Sequence, residues 1–189
     1  MIPTRPSGLP QLGGGLLWAY RIVWALLALA ALSTVALALF DGTQPIVLGL
    51  RLVKSAIVGV VAFVLFWRRQ RDPVAAILSL AFLCWTITSS FDFTTAAVVP
   101  MFLDRLRFLL FALALLLFPN GRWEPGWTRG VAIGSAVIFT IGIIEALGLT
   151  PTQLFLPFAI LCVLAAIAGL VQRFRGTDDE TQQQQLKWV

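Results

Sequence analysis

The sequence contains no histidine, and only 12% of its residues are charged. Histidine is the side chain that most often acts as a general base, and it is a common ligand for metals and haem. Its absence argues against most hydrolytic, metal and haem chemistry. The nine acidic residues are scattered along the chain. The sequence therefore predicts no catalytic residues, no metal site and no cofactor.

Cysteine is also scarce. Cys84 and Cys162 both lie inside apolar runs and form no C-x-x-C pair, which favours buried thiols over a disulfide. Fourteen basic residues outnumber nine acidic ones, but no basic patch has interleaved aromatic residues outside the apolar runs. We therefore predict that the chain does not bind nucleic acid.

Hydrophobic residues are abundant, at 59% of the 189-residue chain, compared with roughly half in soluble domains. Six apolar runs have lengths near the ~20 residues that cross the ~30 Å hydrocarbon core of a bilayer. These predicted spans cover residues 16–40, 46–67, 74–91, 99–118, 130–149 and 153–172. The sequence thus predicts an all-α, polytopic transmembrane bundle of six helices in three hairpins. A flexible tail over 1–15 precedes the membrane domain over 16–172, and a cytoplasmic segment over 173–189 follows it.

The charges between the spans predict their orientation. The loops after the second, fourth and sixth spans are basic, whereas the alternate loops contain Asp41 and Asp92 and no basic residue. The basic loops hold Arg68, Arg69, Arg71, Arg122, Arg129, Arg173 and Arg175. Because basic loops stay on the cytoplasmic side, we predict a multi-pass protein of the inner (plasma) membrane with both termini in the cytoplasm.

Ionisable residues also occur inside the predicted outer halves of the spans. They are Arg51, Lys54, Asp104, Arg105, Arg107 and Glu145. An ionisable group inside a membrane is costly unless it is paired or hydrated, so such residues are candidates for function. Four bases and two acids suit an outward-opening pocket for an anionic ligand, a lipid headgroup or a carbonyl-bearing molecule such as a quinone. Alternatively, the charges pair across helices or extend to the headgroups, and only fix the helix order.

Glycine spacing adds one expectation about helix packing. Gly126, Gly130 and Gly134 lie four residues apart at the start of the fifth span. Small residues at this spacing let membrane helices approach closely. We therefore predict a close helix contact along this stretch.

Three segments beside the spans resemble parts of one protein family. Residues 68–74, RRQRDPV, resemble the basic R-x-[ND]-P turn in the membrane sensor regions of a large class of bacterial histidine kinases. Residues 115–122, LLLFPNGR, are similar to the L-L-F-P-[DN]-G-R loop of those regions. Residues 173–175, RFR, with QQLKWV at 184–189, are similar to their R-[YF]-R…R-Q-Q-x-K-W-V segment. The resemblance implies a membrane sensor module, and without histidine this chain lacks the phosphoacceptor of the kinase half.

Two interpretations of function remain open. The first is a non-catalytic sensor or transducer that contacts membrane lipids and a cytoplasmic signalling partner, either alone or as a homodimer. The second is a structural or accessory subunit of a photosynthetic, respiratory or transport complex, in which other membrane subunits are the partners.

Overall fold

The computed structural model describes residues 9–40, 44–89, 98–118, 121–123, 125–149 and 153–175. These residues form α1 (Gly14–Ala38), α2 (Pro45–Arg69), α3 (Pro73–Ser89), α4 (Val98–Leu117), α5 (Thr128–Ala146) and α6 (Phe155–Arg175). Each helix begins and ends within three residues of its predicted span, and the described ranges contain no strand. The predicted all-α helical bundle is confirmed. The predicted tail residues 1–8 and the terminal segment 176–189 lie outside the described residues.

Local sequence explains where several helices begin and end. Pro45 and Pro73 are the first residues of α2 and α3, a position where the missing N–H costs nothing. The Asp72 carboxylate accepts the N–H of Val74 at 2.9 Å and so caps the start of α3. Gly148, with a φ of 69°, follows the end of α5 in the left-handed conformation that glycine adopts without strain.

The helices differ in how well they suit a membrane. α1, α2, α5 and α6 are long and apolar enough to cross one. α3 is apolar but has only 17 residues, and α4 has 20 residues but carries Asp104, Arg105 and Arg107. α3 contacts α1, α2 and α4, and α4 contacts α3, α5 and α6. The two helices that are least like membrane spans therefore lie at the centre, where the others cover them.

The bundle is divided into two three-helix halves, α1–α3 and α4–α6, which meet mainly where α3 packs against α4. In the first half, α1 packs against α3 and barely touches α2. The two outer helices meet through the stacked rings of Trp24 and Phe66, whose centroids are 4.0 Å apart. Elsewhere they diverge around an apolar crevice of about 550 Å³, which residues of α3 such as Leu83 and Thr86 also line.

The close helix contacts do not occur at the predicted glycines. A Cβ atom added to Gly126, Gly130 or Gly134 would meet nothing within 4 Å, so the predicted contact is wrong. A tight approach occurs at Gly142, where an added Cβ would clash with the Phe155 ring of α6. Glycine spacing identifies one face of a helix, but the rotation of the helix in the bundle decides which face meets a neighbour.

Candidate functional site

Three of the predicted site residues, Asp104, Arg105 and Arg107, form a charged cluster on α4. Asp104 is buried, and its Oδ2 lies 2.6 Å from Nη1 of Arg105. Its Oδ1 lies 2.6 Å from Nη2 of Arg107, one helical turn further along. The contact between Arg107 and Asp104 is an ion pair whose geometry does not meet the criteria for a hydrogen bond. Within the described ranges, Nε of Arg105 has no hydrogen-bond acceptor. The cluster therefore carries one net positive charge and spare hydrogen-bonding capacity.

The two arginines of this cluster reach different halves of the bundle. Arg107 donates from Nη1 to Oγ1 of Thr88 on α3 at 3.2 Å. The Arg105 guanidinium lies 4.3 Å from the ring centroid of Phe155 on α6, a cation–π arrangement. Because both arginines are held by Asp104, one carboxylate supports contacts to α3 and to α6. Asp104 pairs with two bases of its own helix, and the further contacts of these arginines reach the neighbouring helices α3 and α6.

Hydroxyl groups extend the polar contacts from α3 to α2. The Ser55 and Ser89 hydroxyl oxygens are 3.0 Å apart, and Ser89 donates to the Thr86 carbonyl at 3.0 Å. Ser55 is therefore the donor to Ser89. Sequence reasoning missed these residues and Thr88, although hydroxyls near the end of an otherwise apolar run were a visible signal.

Arg51 and Lys54 lie on the outer helix α2. Arg51 is half-buried and stands one turn before Ser55, and the Lys54 side chain is exposed.

The space beside Arg105 has a volume of only about 10 Å³, enough for about one water, and Phe155 is among the residues that enclose it. The structure thus brings together Asp104, Arg105 and Arg107 in closely packed surroundings.

The sixth predicted residue, Glu145, binds the start of α6. Its Oε1 accepts the N–H of Leu154 at 2.6 Å and the N–H of Phe155 at 3.1 Å. The first N–H groups of a helix lack partners within that helix, so this carboxylate caps α6 from the end of α5. Through Phe155, it also fixes the ring that Arg105 covers.

We expect Glu145→Ala to lower the free energy of unfolding by about 1 kcal/mol, the usual cost of losing a helix cap. Glu145→Gln should lose less, because its amide oxygen can still accept. Titration of the detergent-solubilised protein with a denaturing detergent measures both. Thr140→Ala is the control, since this exposed α5 hydroxyl bonds only to Ala136 of its own helix. Equal stability of Glu145→Ala and wild type would contradict the capping role.

At the opposite end of the bundle, which we call the basic end, the three arginine-rich loops come together. Arg173 on α6 donates to the carbonyls of Leu116 and Phe118 at the end of α4, where the last carbonyls of a helix lack N–H partners within that helix. Trp127 donates from Nε1 to Gln172 at 3.0 Å. The Arg173 contacts join the end of α4 to the end of α6, and the Trp127 contact joins the start of α5 to α6.

Comparison with protein-family models, curated proteins and solved structures found no match for this chain. Within the described part of the chain, no three histidine, cysteine, aspartate or glutamate residues lie together as a metal site would require.

Proposed function

We propose that this chain is a non-catalytic, multi-pass membrane protein that acts as a sensor- or transducer-like module. The observation that best supports it is the arrangement around Asp104. One buried carboxylate holds two arginines, and these arginines contact opposite halves of the bundle. The resemblance of three segments to kinase sensor regions points the same way.

The proposed signal is an anionic or lipid-like ligand that competes with Asp104. Carboxylates and phosphates form strong, charge-assisted hydrogen bonds with guanidinium groups. A ligand that engaged Arg105 and Arg107 would weaken their contacts to Phe155 and Thr88. The ligand would shift the equilibrium toward a second packing of the two halves. The size of that shift equals the difference between its binding free energies for the two packings. Entry of the ligand requires movement of the Phe155 ring, because this ring helps to enclose the small space beside Arg105.

The response would reach the basic end through α6. This helix carries Phe155 at one end and Arg173 at the other, and Arg173 holds the last carbonyls of α4. A tilt of α6 would therefore alter the contact between the segments at 115–122 and 173–175. In the proposed orientation, with all six helices spanning the inner membrane and both termini inside, this end faces a cytoplasmic signalling partner.

Purification in mild detergent followed by mass spectrometry tests the proposal. We expect a lone protein or a homodimer that carries an anionic small molecule or lipid. Occupancy should fall at least about tenfold in Arg105→Gln, because a charge-assisted contact contributes about 1.5–3 kcal/mol. The control Arg129→Gln, an exposed arginine at the basic end, should keep its ligand.

Two outcomes of this purification would contradict the transducer role. Stable companions at a fixed stoichiometry would instead support an accessory subunit of a larger membrane complex, with the charged cluster serving only the architecture. Equal ligand occupancy in Arg105→Gln and wild type would remove the cluster from ligand binding.

A further inference from the structure

A cavity lies at the basic end, away from the charged cluster on α4. It has a volume of about 650 Å³ and surrounds the turn between α2 and α3. We call it the basic recess. The charged residues that line it, within the described part of the chain, are Arg21, Arg68, Arg69, Arg71 and Asp72. Four arginines, from α1, from the end of α2 and from the turn that follows it, therefore share one opening.

Segments far apart in the sequence build the walls of the basic recess. The N–H of Leu12 donates to the Arg71 carbonyl at 2.9 Å, which holds the stretch before α1 against the turn. Gly121, from the connection between α4 and α5, has a φ of 65°, and an added Cβ would lie 3.1 Å from Leu9. A side chain at this position would be strained by the backbone conformation and would have to displace Leu9 by a few tenths of an ångström. The recess is thus a product of the fold rather than of one basic loop.

Among the described residues that line the basic recess, the one acid is already engaged. Asp72 caps α3 through the N–H of Val74 at 2.9 Å and lies 3.8 Å from Arg69. Arg21 is positioned by Gln70, whose Oε1 accepts from Nε at 3.0 Å and from Nη2 at 2.7 Å. The remaining lining is strongly positive, and one of its arginines is fixed in place before any ligand arrives.

Tryptophans beside the basic recess favour a position at the level of the lipid headgroups. Trp67 lines it with 70% of its surface exposed, and the Arg21 guanidinium lies 5.7 Å from the ring centroid of Trp18. Exposed tryptophans of membrane proteins concentrate at the boundary between hydrocarbon and water. A ligand of the recess can therefore keep acyl chains in the bilayer while its polar group meets the arginines.

We infer that the basic recess binds the phosphate group of an anionic membrane lipid. Arginine matches phosphate geometry with paired hydrogen bonds, and basic pockets between membrane helices suit such headgroups. A volume of about 650 Å³ also lies within the usual range of roughly 300–1,000 Å³ for ligand sites. This inference does not depend on the proposed transducer role.

The test uses the full chain in mild detergent and native mass spectrometry. The probes are phosphatidylglycerol and phosphatidylcholine with identical acyl chains. We expect phosphatidylglycerol to bind more tightly, and its dissociation constant to rise about 30-fold in Arg68→Gln/Arg71→Gln, which loses two cationic contacts. The control Arg129→Gln/Arg175→Gln removes the same charge from exposed positions at the basic end outside the recess. We expect this control to change the dissociation constant of phosphatidylglycerol less than about threefold.

Three results would overturn the inference. Equal losses in the two double variants would mean that total charge, rather than the recess, attracts the lipid. Equal affinity for the two lipids would remove the role of the anionic headgroup. Inorganic phosphate that binds in the recess and displaces phosphatidylglycerol at millimolar concentration would identify a site for a soluble anion. If size-exclusion chromatography shows that the recess variant misfolds, Arg69→Gln replaces it, with an expected loss of about fivefold and unchanged affinity as the contradicting result.

Discussion

Replacement of Asp104 by asparagine is expected to lower the free energy of unfolding by about 3–5 kcal/mol, the cost of removing one partner from a buried ion pair. The Asp104 side chain is only 8% exposed, and it lies between the guanidinium groups of Arg105 and Arg107. Asparagine has nearly the same shape but no charge. Two neighbouring cations would then repel each other at the centre of the bundle without compensation.

A denaturing-detergent titration with a matched control measures this loss. Asp72→Asn makes the same chemical change at the half-exposed cap that precedes α3, a position where asparagine caps a helix as well as aspartate does. We expect the control to lose less than about 1 kcal/mol, because the exposed contact with Arg69 contributes little. Equal losses in the two variants would show that the buried pairs contribute no more than the surface one.

A second substitution shows whether the loss comes from the uncompensated charge. In Asp104→Asn combined with Arg107→Gln, one positive charge has been removed from the cluster. We expect the double variant to be more stable than the sum of the two single losses predicts, because adjacent residues couple. Strictly additive losses would contradict the electrostatic explanation.

Substitution of Gly142 by alanine is expected to destabilise the protein by about 1–3 kcal/mol, the usual cost of overpacking a tight contact. The new Cβ would clash with Cδ2 of Phe155 and would lie 3.0 Å from Cδ of Arg105. Either the ring or the α5 backbone must move. The substitution should therefore also disturb the ring that covers the Arg105 guanidinium.

The control for this substitution lies on the same helix. Gly134→Ala introduces the same methyl group where nothing lies within 4 Å, so we expect no loss, and a gain of up to about 1 kcal/mol from helix propensity. Thermal unfolding in mild detergent compares the two variants. A stable Gly142→Ala, or a destabilised Gly134→Ala, would contradict the contacts described for α5.

The helix positions were predictable because they depend on local signals. A bilayer sets the length of an apolar run, and residues such as Pro45, Asp72 and Pro73 mark the boundaries. The pairing of Asp104 with Arg107 was also within reach, since residues three apart share one face of a helix. The expectation of partners on other helices overlooked these nearer neighbours.

The capping role of Glu145 could not be predicted from the sequence alone, because it depends on the direction that the chain takes after α5. An acid one residue before the end of α5, followed by a short connection, lies close to the first N–H groups of the next helix. Sequence alone identified the residue as an intramembrane charge but did not show that α6 returns beside it. The basic recess is a stronger case, because Leu9, Arg21 and Gly121 come together only in the folded chain.

The amino-acid sequence by itself determined an all-α bundle, the residues of each helix and the presence of arginines after every second span. Only the tertiary structure decided that α1 packs on α3, that Gly142 rather than Gly134 makes the close contact, and that the arginines near Asp72 surround a recess. The reason is physical. In a membrane, faces that meet lipid and faces that meet another helix are equally apolar, so hydropathy sets helix length but not rotation or partner.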